Sequence, residues 1–223
     1  MEEELIASNP MDRIKHPRLE KKVIPIVPQD EFEVLLDLTE PALYRGAAAP
    51  FRAFRNRAVL WFLSDTSVRR EGLTGLAVGD VNLEERHALV TEKGWKQRYV
   101  GFGQITAKVL RQYLMEREKL SPVVDDLWVD AQGNAMDSHW VYQMLKRLGQ
   151  RAGVPNPHTH RFRHTFTVFM VEEGTPDAIL KPLGGWEKVP KTCTATIGAK
   201  QALEWHRQHS PADRLAKKLR KKW

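Results

Sequence analysis

The chain has 223 residues, enough for one large domain with a buried core. Its 42% hydrophobic and 28% charged residues are those of a soluble globular protein, no apolar run is long enough to cross a bilayer, and the acidic opening MEEELIASNP lacks a signal pattern, so a cytoplasmic protein is expected. A net charge of +7 points to an anionic partner, whether nucleic acid, a membrane surface or a phosphorylated molecule, and the single cysteine, Cys193, excludes both an internal disulfide and a cysteine-only metal site.

Residues 1–27, including NPMDRIKHPRLEKKVIPIVPQ up to Val27, are rich in proline and charge without periodicity and read as a connector. From Pro28, the run PQDEFEVLLDL predicts a helix with acidic residues in its first turn and a stripe of Phe32, Leu35 and Leu36. A second helix is expected over 51–64, burying Val59, Leu60, Phe62 and Leu63. Val81 and Leu83 begin a short alternating run. HALVTE and KQRYVGF then read as two strands joined at Lys93-Gly94-Trp95. A long amphipathic helix is expected over 104–119, followed by a strand–turn–strand in LWVDAQGNAMD. SHWVYQMLKRLGQRAG reads as a helix with Ser138 as N-cap and Gly153 near its end. Helices follow over 160–173, stopping at Gly174, and over 176–183, with LGGW as a turn. Two more are expected in GAKQALEWHRQH and SPADRLAKKLRKK, the second capped by Ser210. The fold class is therefore α+β, mainly helical with a small antiparallel β-sheet, the main domain spanning 28–209 and a basic helical tail 210–223.

The stretch HTHRFRHTF, residues 158–166, holds three histidines and two arginines. His160 and His164 share the i, i+4 spacing of a zinc helix, but Arg161 follows His160 where a glutamate would be needed, and Arg163 sets a cation beside the pair. No metal is expected. A phosphate site suits the same residues: Arg163 can fork two N–H groups to phosphate oxygens, and His160 lies one turn earlier, near a helix N-terminus that favours anions. A solvated basic face is the competing reading of this segment taken alone.

Other segments decide between them. His160-Arg161-Phe162-Arg163-His164-Thr165 resembles the H-x-x-R-H-T pattern of the tyrosine recombinases, or phage integrases. DTSVRREGLTGLAVGDVNL is similar to the family's first arginine segment and places that arginine at Arg69. EKGWKQRYV is similar to its hairpin lysine segment, placing the lysine at Lys93, and LKPLGGWEK to its histidine-or-tryptophan segment, placing it at Trp186. The closing HRQHSPADRL is similar to the C-terminal end of some members. These pieces occur in family order over about residues 10 to 215.

The resemblance implies a DNA-binding catalytic domain for site-specific DNA recombination or integration, carried by a mobile element and working without cofactor. Its chemistry is in-line phosphoryl transfer, which needs positioning and neutralisation of developing charge. Arg69 and Arg163 would clamp the nonbridging oxygens, Lys93 would protonate the leaving 5′-oxygen, His160 would support proton transfer at the nucleophile, and Trp186 would donate its indole N–H. Double-stranded DNA is the expected partner, with assembly as a tetramer on DNA or together with an intact recombinase. The chain departs from the family in three ways. Its four tyrosines, Tyr44, Tyr99, Tyr113 and Tyr142, all precede LGGW, and the nucleophile position falls at Cys193 or Ala195 depending on register. An acidic residue expected three positions after the first arginine is Gly72, with Glu71 one place earlier. Finally, the chain opens on residues that resemble the linker after an N-terminal clamp domain. The alternative reading is a non-catalytic DNA-binding remnant or a regulator of an intact recombinase.

Overall fold

The computed structural model describes residues 25–189 apart from Lys93 and Trp95. The expected connector up to residue 24, both helices expected after residue 195 and the basic tail lie outside the described residues, as do Lys93, Cys193 and Ala195. In chain order the elements are α1 (Gln29–Asp37), α2 (Ala49–Thr66), α3 (Arg70–Thr74), β1 (Val81–Asn82), β2 (His87–Glu92), β3 (Lys96–Gly101), α4 (Gln104–Glu118), α5 (Ser138–Ala152), α6 (Thr159–Glu172) and α7 (Asp177–Gly184), with single 3-10 turns at Pro41–Leu43 and Val78–Asp80. The α+β, mainly helical reading is met, with one antiparallel sheet of order β1-β2-β3 among the described residues.

The helix α2 forms the centre. Phe51, Ala53, Ala58, Val59, Leu60, Phe62 and Leu63 are all buried, so apolar side chains leave it on several sides, and it packs against α4 and α6. An apolar stripe of this width belongs to a helix inside a domain rather than on its surface. Trp128 fills the space between α2 and α4, stacked on Tyr113 at 5.3 Å and edge-on to Phe62 at 6.2 Å. The Tyr113 hydroxyl donates to Leu127 O and accepts from Val129 N, so the buried phenol is satisfied.

The hairpin pairs Ala88 with Val100, Val90 with Arg98 and Glu92 with Lys96. Side chains alternate across a strand, so these six residues share one face of the ladder. Ala88, Val90 and Val100 on that face are core residues. Arg98 and Glu92 continue the face outward, toward α3 and α7.

Two sequence readings need correction. Asp137, not Ser138, caps α5: its Oδ1 accepts from Trp140 N at 2.8 Å, while Ser138 is the first helical residue. Both residue types cap well, and the capping oxygen has to reach the N–H three residues on, which selects the residue already in extended backbone. The strand–turn–strand expected in LWVDAQGNAMD reduces to the isolated bridge Val129↔Ala135. Asp130 shapes the turn instead, its carboxylate accepting from Gln132 N, Asn134 N and Asn134 Nδ2. Gly153 ends α5 as expected, in the left-handed conformation at φ 68°.

Candidate functional site

The segment HTHRFRHTF forms the first half of α6. His158 caps the helix, its Nδ1 accepting from Arg161 N at 2.9 Å. The two arginines of this segment then part company. Arg161 turns inward: Nε and Nη2 donate to Ile26 O at 3.0 and 2.6 Å, Nη1 donates to Pro155 O at 2.7 Å, and Nη2 pairs with Glu31 at 2.6 Å. It fastens α6 to α1 and the strand of chain before it. Arg163, two residues on, points toward α3 and α7. Its Nη1 donates to Ser67 O and its Nη2 to Gly184 O, and its guanidinium lies 4.5 Å from the centre of the Trp186 ring.

Trp186 reaches that place because α7 stops abruptly. Gly185 caps it at φ 62°, where a side chain would also meet Arg98 Nε at 2.9 Å, and Trp186 N bonds back to Lys181 O. The indole then rests on a small apolar cluster of Phe166, Val171 and Leu180.

Arg69 arrives from the other side as the extended residue before α3. Its Nη2 donates to Gly185 O at 3.4 Å, and its Nη1 pairs with Glu92. His160 is exposed on the first turn of α6. Partial burial and the neighbouring charges of His158, Arg163 and Arg69 lower its pKa, against the pull of Glu71. The neutral imidazole is thus favoured near neutral pH. Glu71 is held below the ordinary carboxylate range by its own backbone N–H and by Arg70.

Arg69, Arg163, His160 and Trp186, four of the residues singled out in the sequence, therefore converge. Arg69 and Trp186 line an open groove of about 1330 Å³, together with Lys96, Arg98, Lys181 and Lys188, and Arg163 lies behind Trp186. None of the four tyrosines lines it. Lys93, which falls between β2 and β3 in the sequence, lies outside the described residues, as do Cys193 and Ala195. Among the described residues no three histidine, aspartate or glutamate side chains are grouped to hold a metal ion, and no helix is long and apolar enough to cross a membrane.

Two residues of the groove went unnoticed in the sequence. Arg98 donates from Nη1 to Leu183 O at 2.6 Å and from Nη2 to Ser67 O at 3.4 Å and to Glu92 Oε1 at 3.0 Å, and burial lowers its pKa to about 10. The Glu92 side chain is 7% exposed and contacts both Arg98 and Arg69. The period-two pattern of HALVTE carried the signal: it puts Glu92 on the same face as the buried Ala88 and Val90, where a carboxylate has to find cations.

Residues 27–195 match the model of the phage integrase family. The chain is 30% identical over 158 residues to the tyrosine recombinase XerC of Corynebacterium efficiens, covering 70% of this chain and 51% of that protein. To the Bacillus subtilis XerC it is 28% identical over 209 residues, covering 91% and 66%. The chain thus spans between half and two thirds of the length of these relatives. Among solved structures, the crystal structure of XerA recombinase superposes with a TM-score of 0.68 at 25% identity, over 86% of this chain and 67% of that one. The fold also matches XerH site-specific recombinase bound to its palindromic difH substrate, with a TM-score of 0.66 at 22% identity over 87% and 55% of the two chains. The domain has the fold of a tyrosine-recombinase catalytic domain. The chain belongs to the phage integrase family.

Proposed function

We propose that this chain binds double-stranded DNA through the groove between α3, the β2–β3 hairpin and α7, as the catalytic-type domain of a site-specific recombinase, and that in its native form it does not cut DNA on its own. The observation that carries the reading is the convergence of Arg69 and Arg163, from distant parts of the chain, on one turn: Arg69 bonds Gly185 O across 116 residues, and Arg163 bonds Gly184 O. Two guanidinium groups around a basic groove suit a phosphodiester, whose nonbridging oxygens carry the negative charge. In the reaction of this family a hydroxyl oxygen attacks phosphorus, the bond to the 5′-oxygen breaks, and that oxygen takes up a proton. Arg69 and Arg163 would balance charge on the phosphoryl oxygens, Lys93 would supply the proton, and His160, held neutral, would accept one from the nucleophile. Trp186 would keep Arg163 in place by stacking and donate its indole N–H.

The nucleophile is the missing part. No tyrosine follows Trp186, and the position falls at Cys193 or Ala195. The chain would then act by occupying DNA, alone as a homo-tetramer or beside an intact recombinase. A denaturing gel for covalent protein–DNA adducts tests this, using duplexes from the flanks of the gene with the native chain, Cys193→Ala, Cys193→Tyr and Ala195→Tyr. The expected result is no adduct from the first two and an adduct from one tyrosine variant. A native adduct lost in Cys193→Ala would show a working thiol nucleophile and overturn the non-cutting reading. Absence of salt-sensitive duplex binding by the native chain would overturn the DNA reading itself.

A further inference from the structure

Glu92 ends β2 on the core face of the hairpin, with its carboxylate on the floor of the basic groove. Its Oε1 accepts from Arg98, and its Oε2 pairs with Arg69. A carboxylate this buried is stable only when its charge is matched, and here both oxygens are engaged. The two guanidinium groups come from separate elements. Arg69 precedes α3 and also bonds Gly185 O, while Arg98 lies on β3 and also bonds Leu183 O and Ser67 O. One carboxylate therefore joins α3, the hairpin and the end of α7 around Arg69.

Gly72 shows why the carboxylate fits there. A side chain at 72 would start 3.5 Å from Glu92 Cγ and 3.2 Å from Val68 Cγ2. Gly72 is buried inside the helix α3, so the backbone does not call for glycine there. The space that a side chain at 72 would enter from α3 is the space that Glu92 enters from β2. The acid absent from position 72 in the sequence thus has a counterpart across the hairpin.

We propose that Glu92 is the positioning residue for Arg69, standing in from β2 for an acid at 72 and holding the Arg69 guanidinium at the groove for a DNA phosphate. This rests on the DNA-binding reading above. Without the carboxylate, Arg69 and Arg98 face each other as like charges, and Arg69 has four single bonds about which to leave the groove.

The test uses the full chain with two readouts. The first is a cycle on affinity for a fluorescein-labelled duplex at fixed salt. Arg69→Gln should weaken binding about tenfold in the native background, the loss of one charge-assisted contact, and less than about threefold in a Glu92→Gln background. The exchange variant, Gly72→Glu with Glu92→Gly, should restore the full cost of Arg69→Gln. An equal cost of Arg69→Gln with and without Glu92, or no restoration by the exchange, would overturn the proposal. The second readout needs no DNA. The side-chain N–H resonance of Arg69, identified by its absence in Arg69→Gln, should be sharp in the native chain, lost in Glu92→Gln and regained in the exchange variant. If Glu92→Gln does not fold, the exchange variant decides alone. If the native chain binds no duplex, the DNA reading falls, and the resonance still separates a held Arg69 from a loose one: a sharp signal in Glu92→Gln sinks the positioning role.

Discussion

Arg161 and Arg163 are two positions apart on one helix, and their surroundings divide their work. Arg161 spends its guanidinium on Ile26 O, Pro155 O and Glu31, all structural partners. Arg163 lies under Trp186, and that arrangement depends on Gly184. A methyl group at 184 would fall 1.7 Å from the indole, inside the ring's own contact distance, so the ring would have to leave. Gly184→Ala is therefore expected to destabilise the domain by about 1–3 kcal/mol, the usual range for overpacking, in urea denaturation. It should also weaken duplex binding, because the face of Arg163 would lose its cover. Gly79, whose added Cβ would meet nothing within 4 Å, gives the control: Gly79→Ala should leave both measurements nearly unchanged.

α5 offers a direct comparison between neighbouring capping residues. Asp137 and Ser138 are both good N-caps by type, but the bond to Trp140 N comes from Asp137. Asp137→Ala should cost about 1 kcal/mol in chemical denaturation, and Ser138→Ala only a few tenths. Equal costs would mean that the cap is shared. The helix matters to the site because α3, the element that follows Arg69, packs against it. The hairpin shows the same dependence. Its pairing of Val90 with Arg98 and Glu92 with Lys96 sets Arg98 diagonal to Glu92 on one face, close enough for an ion pair, and a shift of one residue in the register would put the two on opposite faces.

Across the whole molecule, binding at the groove should be coupled to protons through His160. Its pKa lies below the ordinary value near 6.5, because of partial burial and the positive charges around it. With a depressed folded-state pKa, the unfolded chain binds the proton first, so the contribution of His160 to stability is present above pH about 6.5 and is lost as pH falls from there toward the folded-state value. A DNA phosphate acts in the opposite sense, since it adds negative charge beside the imidazole and raises its pKa. DNA binding then takes up a proton, and affinity should increase as pH falls toward the depressed folded-state value at constant salt. In His160→Gln this increase should be reduced. An identical pH dependence in the variant would place His160 away from the phosphate.

Local pattern made most of the elements legible: α1 and α4 follow from apolar periodicity, α2 from its run of apolar residues, the hairpin from alternation, and the ends of α5 and α6 from Gly153 and Gly174. The ordered motifs likewise pointed to Arg69, His160, Arg163 and Trp186 from residue type and spacing. The network that holds them was not legible there. Ser67 O and Gly184 O are backbone acceptors, which carry no side-chain signature, yet both bond Arg163. The acid beside Arg69 was expected within α3, where a motif counts along one segment. Glu92 fills that space from a different element, and only the packing of β2 against α3 brings the two together. Sequence spacing records neighbours along the chain, whereas a buried charge is matched by whatever group the fold sets within hydrogen-bonding distance.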